Sequence, residues 1–218
     1  MNVPKIDPCL YLIVDPAQCT HHDPAAVAAA AVRGGVTLIQ YRNKHAGARA
    51  LIADLKLVQA AVRDSGVPVL VNDRVDVALA ANAQGVHLGQ DDMPADIARR
   101  LLGANAVIGA TIRSGKEADS TALEVVDYVG IGGVFATASK QQLNAPIGVD
   151  GFADLAARIR RRRPELALVA ISGITAATAP QLMAAGAGGI AVISSICSDR
   201  DPQQAASRLR AAIDNATA

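Results

Sequence analysis

The segment Cys9-Leu10-Tyr11-Leu12-Ile13-Val14 runs directly into Asp15-Pro16-Ala17-Gln18. Six uncharged residues ending on two β-branched ones read as a strand covered on both faces. An open dinucleotide-binding sheet would place a GxGxxG turn immediately after such a first strand. Here the turn has no glycine at all. Working outward, similar runs recur at 37–41, 68–71, 85–88, 107–111, 128–132, 167–171 and 189–193. Between and after them, 23–33, 49–64, 75–82, 95–102, 116–123, 151–163, 177–185 and 202–216 carry Ala-rich helical patterns. Asp23-Pro24 and Asp201-Pro202 supply a capping carboxylate followed by proline, which suits a helix start. Strand and helix alternate as parallel βα units do. Eight such units without the glycine fingerprint predict an α/β protein of one closed (β/α)8 TIM barrel. No linker or low-complexity tract divides the chain, so residues 1–218 are expected to form a single catalytic domain.

A chain of 218 residues is near the lower end of what this architecture needs. Hydrophobic residues make up 51% and aromatics only 2%, with no Trp, so the core is expected to consist of Ala, Val, Ile and Leu. The 21 basic and 20 acidic residues leave a formal charge of +1. That gives no field suited to nucleic acid or an anionic membrane, and a small-molecule partner is expected instead. Cys9, Cys19 and Cys197 have neither CxxC nor CxxH spacing, which argues against a disulfide framework or a zinc site and for a reducing cytoplasmic setting. Residues 1–8 lack the apolar core of a signal peptide, and apolar runs elsewhere stop short of the ~20 residues of a membrane span.

Unusual polar residues gather where the predicted strands end, which in a barrel is the face that carries active sites. After the second strand come Gln40-Tyr41-Arg42-Asn43-Lys44, whose alternation turns Gln40, Arg42 and Lys44 to one side. Asn72-Asp73-Arg74 follows the third strand and Gly89-Gln90-Asp91-Asp92 the fourth. Neighbouring strands lie about 4.8 Å apart, so carboxylates from both tips could share one cation. Magnesium suits such hard oxygen ligands together with substrate phosphates. Asp73 fits equally well as a helix cap. Gly130-Ile131-Gly132-Gly133 and the following Thr137, Ser139 and Lys140 combine close backbone approach with polar side chains. Ser172-Gly173-Ile174-Thr175 and Ile193-Ser194-Ser195 occupy the loops that in this architecture often bind phosphate through backbone N–H groups.

Other features have simpler explanations. Arg158 and Arg160-Arg161-Arg162-Arg163 close a predicted helix, where cations complement its dipole and face solvent. His87 lies within a strand and reads as a packed or pocket-lining histidine. No GxSxG, HExxH or zinc pattern points to a protein nucleophile or a metalloprotease.

Taken together, these segments resemble the thiamine-phosphate synthase family along nearly the whole chain. The family's Q-x-R-x-K is similar to Gln40, Arg42 and Lys44, and its N-D-R to Asn72-Asp73-Arg74. G-V-H-x-G-Q-x-D-M-P resembles residues 85–94, and D-Y-x-G-x-G with its T-x-T/S-K loop resembles residues 127–140, followed by Pro146-Ile147-Gly148. The resemblance implies that Gln40, Tyr41, Arg42, Asn43, Lys44, Asn72, Thr111 and Lys140 hold a pyrimidine diphosphate. It implies that Asp73 and Asp92 ligate Mg2+, and that Thr137, Ala138, Ser139, Gly173, Ile193 and Ser194 hold a thiazole phosphate. This sequence has Thr111 where the family usually has Ser, Gly133 where it has Pro, Ala136 where it often has Pro, and Ser172 where it has Gly.

The implied reaction breaks a C–O bond, so that both electrons leave with pyrophosphate, and the thiazole nitrogen bonds to the pyrimidine methylene cation. Arg42, Lys44 and Lys140 are the residues expected to stabilise the departing anion, and electrostatic stabilisation of this kind is often the largest catalytic effect. A related thiazole tautomerase and a non-catalytic phosphate-binding barrel are the alternatives. Both aspartates and the basic strand-two motif speak against the tautomerase. The sequence leaves the oligomeric state open, a homo-oligomer included.

Overall fold

A computed structural model describes residues 6–137 and 145–217. Eight parallel strands close into a barrel in chain order: β1 (Leu10–Val14), β2 (Leu38–Tyr41), β3 (Val69–Asn72), β4 (Gly85–Leu88), β5 (Val107–Ile112), β6 (Tyr128–Ile131), β7 (Ala167–Ile171) and β8 (Gly189–Val192). Pairing of β1 with β8, Leu10 opposite Ile190 and Leu12 opposite Val192, completes the ring and leaves no sheet edge. Helices α1 (Pro24–Arg33), α2 (Ala48–Val62), α3 (Val75–Ala81), α4 (Ala95–Leu102), α5 (Gly115–Ser120), α6 (Gly148–Arg162), α7 (Ala179–Ala184), α8 (Ser194–Cys197) and α9 (Pro202–Thr217) surround it. Asp23 starts α1 as expected, its side chain accepting from Ala26 N at 2.9 Å with Pro24 next in line. No helix among the described residues is long and apolar enough to cross a membrane.

Two apolar layers hold the barrel. The larger lies between strands and helices and draws on Leu12, Ile39, Val71, Ile108, Leu168 and their neighbours. The smaller fills the interior with Tyr11, Ile13, Leu38, Leu70, Val107, Tyr128, Val169 and Ala191. The expectation of a purely aliphatic core therefore needs correction, because Tyr11, Tyr41, Tyr128 and Phe152 are the largest fully buried side chains. Glycine makes the room. A Cβ on Gly109, directly opposite Tyr128 in the β5–β6 register, would lie 2.1 Å from the Tyr128 ring. Tyr11 then meets Tyr128 edge to face, with centroids 5.8 Å apart.

The predicted eight strands are all present, and element ends move by one to a few residues, as fraying helix ends do. The helix expected over 116–123 stops at Ser120, where Thr121 adopts an extended conformation, and a separate 3-10 turn spans Leu123–Val125. Helix α8 was not expected from the sequence, since four residues carry no periodicity to detect. The basic end of α6 is not merely a solvated surface. Arg158 pairs with Asp119, Arg162 donates to the carbonyl of Ala118, and Arg163 donates to the carbonyls of Leu123 and Val126.

Candidate active site

Because all strands run parallel, their C-terminal tips share one end of the barrel, and a cavity of about 490 Å³ opens there. It is lined by Gln40, Arg42, Lys44, Asn72, Asp73, Asp92, Thr111, Thr137, Gly173, Ile193 and Ser194, which come from seven of the eight strand ends. A hollow of about 540 Å³ at the opposite end is lined mainly by Val36, Thr37, Val67, Pro68, Gln84 and Asn105. Strands begin there, and Asp7 is the charged group it offers, so the cavity at the strand tips is the candidate site.

On its acidic side, Asp73 and Asp92 face each other. Asp73 has φ 63, a left-handed value that an L side chain seldom adopts. Arg74 N donates to Asn72 O at 2.7 Å across it, and Asp73 N donates to His87 O at 2.9 Å. A tight turn at the strand tip thus aims the Asp73 carboxylate inward instead of letting it cap α3. Strained backbone of this kind clusters at functional sites. Lys44 Nζ lies 3.0 Å from Asp73 Oδ2, and Gly89 N donates to Asp92 Oδ2 at 2.7 Å. Burial raises the Asp73 carboxyl, but hydrogen bonds with Asp92 and Lys44 outweigh it and hold the group below its ordinary value. Asp92 moves the other way, raised by burial and then by the neighbouring Asp73.

The basic side is built on β1 and β2. Arg42 N donates to Val14 O at 2.9 Å, and the Arg42 guanidinium forms an ion pair with Asp15, their side chains 14% and 6% exposed. Asp15 also accepts from Ala17 N at 3.0 Å, which fixes the carboxylate through the turn after β1. Below this rim a line of buried polar groups crosses the interior. Gln40 Nε2 donates to Tyr11 OH, which lies 2.8 Å from Tyr128 OH. Tyr128 OH is 2.8 Å from His87 Nδ1, and His87 Nε2 is 2.7 Å from Thr111 Oγ1.

The opposite wall is formed by the tips of β6, β7 and β8. Val134 N donates to Ile171 O at 3.2 Å and Phe135 N to Ser172 O at 3.1 Å, extending the β6–β7 pairing past the strands. Gly173 has φ 66, and a Cβ there would sit 2.3 Å from the Ala136 carbonyl oxygen, so only glycine fits. Ser195 Oγ donates to Ile174 O at 2.7 Å and ties the start of α8 to the β7 tip. Ile193, Ser194 and Gly173 thereby meet across one corner of the cavity.

Residues 10–196 match the family model described as thiamine monophosphate synthase. The chain belongs to the thiamine monophosphate synthase family. Its relatives include the thiamine-phosphate synthase of Agrobacterium fabrum, 42% identical over 212 residues that cover 97% of this chain and 96% of that one. The thiamine-phosphate synthase of Chloroflexus aurantiacus is 43% identical over 208 residues, covering 95% and 94%. Among solved structures, thiamine phosphate pyrophosphorylase from Pyrococcus furiosus superposes with a TM-score of 0.84 at 31% identity over 98% of this chain and 99% of that one.

Two residues that the family resemblance suggested do not reach the cavity. Tyr41 points outward from β2 and donates from its hydroxyl to Asp54 Oδ2 of α2 at 3.0 Å, and Asn43 Oδ1 accepts from His45 N at 3.2 Å. Period-two alternation is the reason, since Gln40, Arg42 and Lys44 take the inward positions. Ala138, Ser139 and Lys140 lie outside the described residues. The cavity also holds Arg113 and Glu117, which sequence reasoning did not single out, and Asp15, paired with the cavity-lining Arg42, was not singled out either. Asp15 supports Arg42; Gln90 Nε2 donates to Thr111 O at 2.6 Å; and Glu117 Oε2 accepts from Arg113 N at 2.6 Å beside the cavity. Asp15 and Arg113 each follow a strand end directly, which is the signal that could have flagged them.

Proposed function

We propose that this cavity joins 4-amino-2-methyl-5-(diphosphooxymethyl)pyrimidine to 4-methyl-5-(2-phosphooxyethyl)thiazole, or to its carboxylated form, releasing pyrophosphate, as a transferase of thiamine biosynthesis. The observation that carries this reading is the facing pair Asp73 and Asp92 with Lys44 and Arg42 on the same rim. Among the described residues no group of three or more His, Cys, Asp or Glu side chains could enclose a metal. Two hard carboxylates with room for diphosphate and water oxygens are instead the donor set that magnesium commonly takes, so the residues fit it. When bound there by Asp73 and Asp92, Mg2+ would neutralise charge on the diphosphate.

The protein's own groups account for the rest. Arg42, braced by Asp15, and Lys44, braced by Asp73, present fixed positive charge to the diphosphate; Lys140 joins them. Asn72, Gln40 and Thr111 border the same space and hold the pyrimidine, while Gly173, Ile193 and Ser194, with Thr137, Ala138 and Ser139, receive the thiazole phosphate. As the C–O bond breaks, the cations stabilise the charge gathering on pyrophosphate. The thiazole nitrogen supplies the electron pair of the new C–N bond, so no protein nucleophile takes part. A tautomerase that handles no diphosphate would have no use for the facing aspartates. We place the activity in a single catalytic domain of residues 1–218 working in the cytoplasm.

The test is to mix the purified protein with both substrates and Mg2+, with and without chelator, and to assay thiamine phosphate and pyrophosphate. Both products should form in equal amounts and cease with chelator. Tight binding of the substrates with no product would defeat the proposal.

A further inference from the structure

The polar line beneath the cavity joins five strands, with Gln40 on β2, Tyr11 on β1, Tyr128 on β6, His87 on β4 and Thr111 on β5. All five residues are buried, from 0% exposed at Tyr128 to 7% at Thr111, and only Gln40, His87 and Thr111 border the cavity. Space has been cleared for it. A Cβ on Gly109 would collide with Tyr128, and one on Gly130 would come within 3.2 Å of the His87 ring. Buried hydroxyls are costly to leave unpaired, yet an aliphatic interior could have avoided them altogether.

Hydrogen bonding gives this line a direction. Gln40 offers an N–H to Tyr11 OH, so the Tyr11 proton is free to turn toward Tyr128. Tyr128 OH, accepting from Tyr11, then donates to His87 Nδ1. An imidazole that accepts at Nδ1 carries its proton on Nε2 when neutral, and that N–H donates to Thr111 Oγ1. Thr111 has its acceptor side occupied from within the barrel. Its own proton is left for the cavity.

We propose that Tyr11, Tyr128 and His87 are positioning residues that transmit the orientation of the Gln40 amide to Thr111 and hold the Thr111 hydroxyl as a hydrogen-bond donor toward the bound substrate. The atom that Thr111 recognises is then an acceptor, such as a ring nitrogen of an aminopyrimidine, and a protonated ring position is disfavoured there. This rests on the proposal that the cavity takes the pyrimidine diphosphate. The direction follows from the Gln40 N–H that faces Tyr11; with the Gln40 carbonyl there instead, every bond would reverse, His87 would carry its proton on Nδ1, and Thr111 would have no proton to offer.

The two polarities differ in one observable. In full-length protein labelled with 15N-histidine, at about pH 8 where an ordinary imidazole is neutral, His87 should show a protonated Nε2 and an unprotonated Nδ1. His87→Gln identifies its signals among those of the exposed His21, His22 and His45. Tyr128→Phe should mix the two tautomers and raise KM for the pyrimidine diphosphate about tenfold, with KM for the thiazole phosphate unchanged, because only pyrimidine recognition is affected. Thr111→Val, which keeps the shape and loses the hydroxyl, should raise the same KM at least as much. A protonated Nδ1 in the unmodified protein would overturn the proposal, as would a Tyr128→Phe variant with altered tautomer and unaltered KM. The tautomer is read without substrate, so the relay is judged even if the protein makes no thiamine phosphate.

Discussion

Gly133 N donates to Ser172 Oγ at 3.2 Å, linking the tips of β6 and β7. These are two of the positions where the sequence departs from its family, which usually has Pro at the first and Gly at the second. A proline has no N–H to give, and the serine hydroxyl exists to receive one. Gly133 has φ 79, far from the value near −65° that proline imposes, so the backbone here has taken a conformation proline cannot adopt. Ser172 has φ 93, where glycine would be unstrained. The hydroxyl bond offsets part of that strain.

Gly133→Pro should therefore destabilise the protein by at least about 3 kcal/mol. Ser172→Ala, which keeps the strain and loses the bond, should cost about 1 kcal/mol, whereas Ser172→Gly should be nearly neutral. Urea unfolding of the three variants measures this, and equal losses in both Ser172 variants would remove strain from the account.

Gly109→Ala tests whether the interior is as tightly packed as the tyrosines require. The added methyl would lie 2.1 Å from the Tyr128 ring. Overpacking of this kind costs about 1–3 kcal/mol or more. The denaturation midpoint should fall with an unchanged slope, and pairing the change with Tyr128→Ala should recover part of the loss.

Asp92→Asn should act in opposite ways with and without metal. It keeps an acceptor for Gly89 N and removes the charge facing Asp73. In chelator, relief of like-charge contact should raise the melting temperature by about 2–4 °C, the shift of roughly 1 kcal/mol in a chain of this size. Added Mg2+ should stabilise the unmodified protein and leave the variant unmoved. Differential scanning calorimetry reads both.

Asp15 deserves the same test as the cations, because it braces Arg42 from a buried position. Asp15→Asn should raise KM for the pyrimidine diphosphate by about tenfold, as expected when a charge-assisted bond that orients a binding group is lost. Arg42→Ala should also cost about 3–5 kcal/mol of stability, since it strands a buried carboxylate. Steady-state kinetics alongside thermal melts separate the two effects.

Asp73→Ala and Lys140→Ala should each lower turnover by at least ~10²-fold while the far-ultraviolet circular dichroism stays unchanged. Near-normal pyrophosphate release by either variant would take that residue out of the mechanism.

The sequence alone determined the barrel, its eight strands and the end at which polar residues collect, because period, glycine placement and strand-tip polarity are local properties. It also singled out Gln40, Arg42, Lys44, Asn72, Asp73 and Asp92 by their position at strand tips. What it could not express is which polar groups meet across the ring. Tyr11 and Tyr128 are 117 residues apart yet share a hydrogen bond, and Asp15 reaches Arg42 only because β1 and β2 are in register from Tyr11 opposite Leu38 to Val14 opposite Tyr41. Tyr41 and Arg42 are adjacent in sequence and face opposite sides of the sheet. Closure of the barrel decided those relationships, since only a closed ring brings side chains from distant strands into one buried interior.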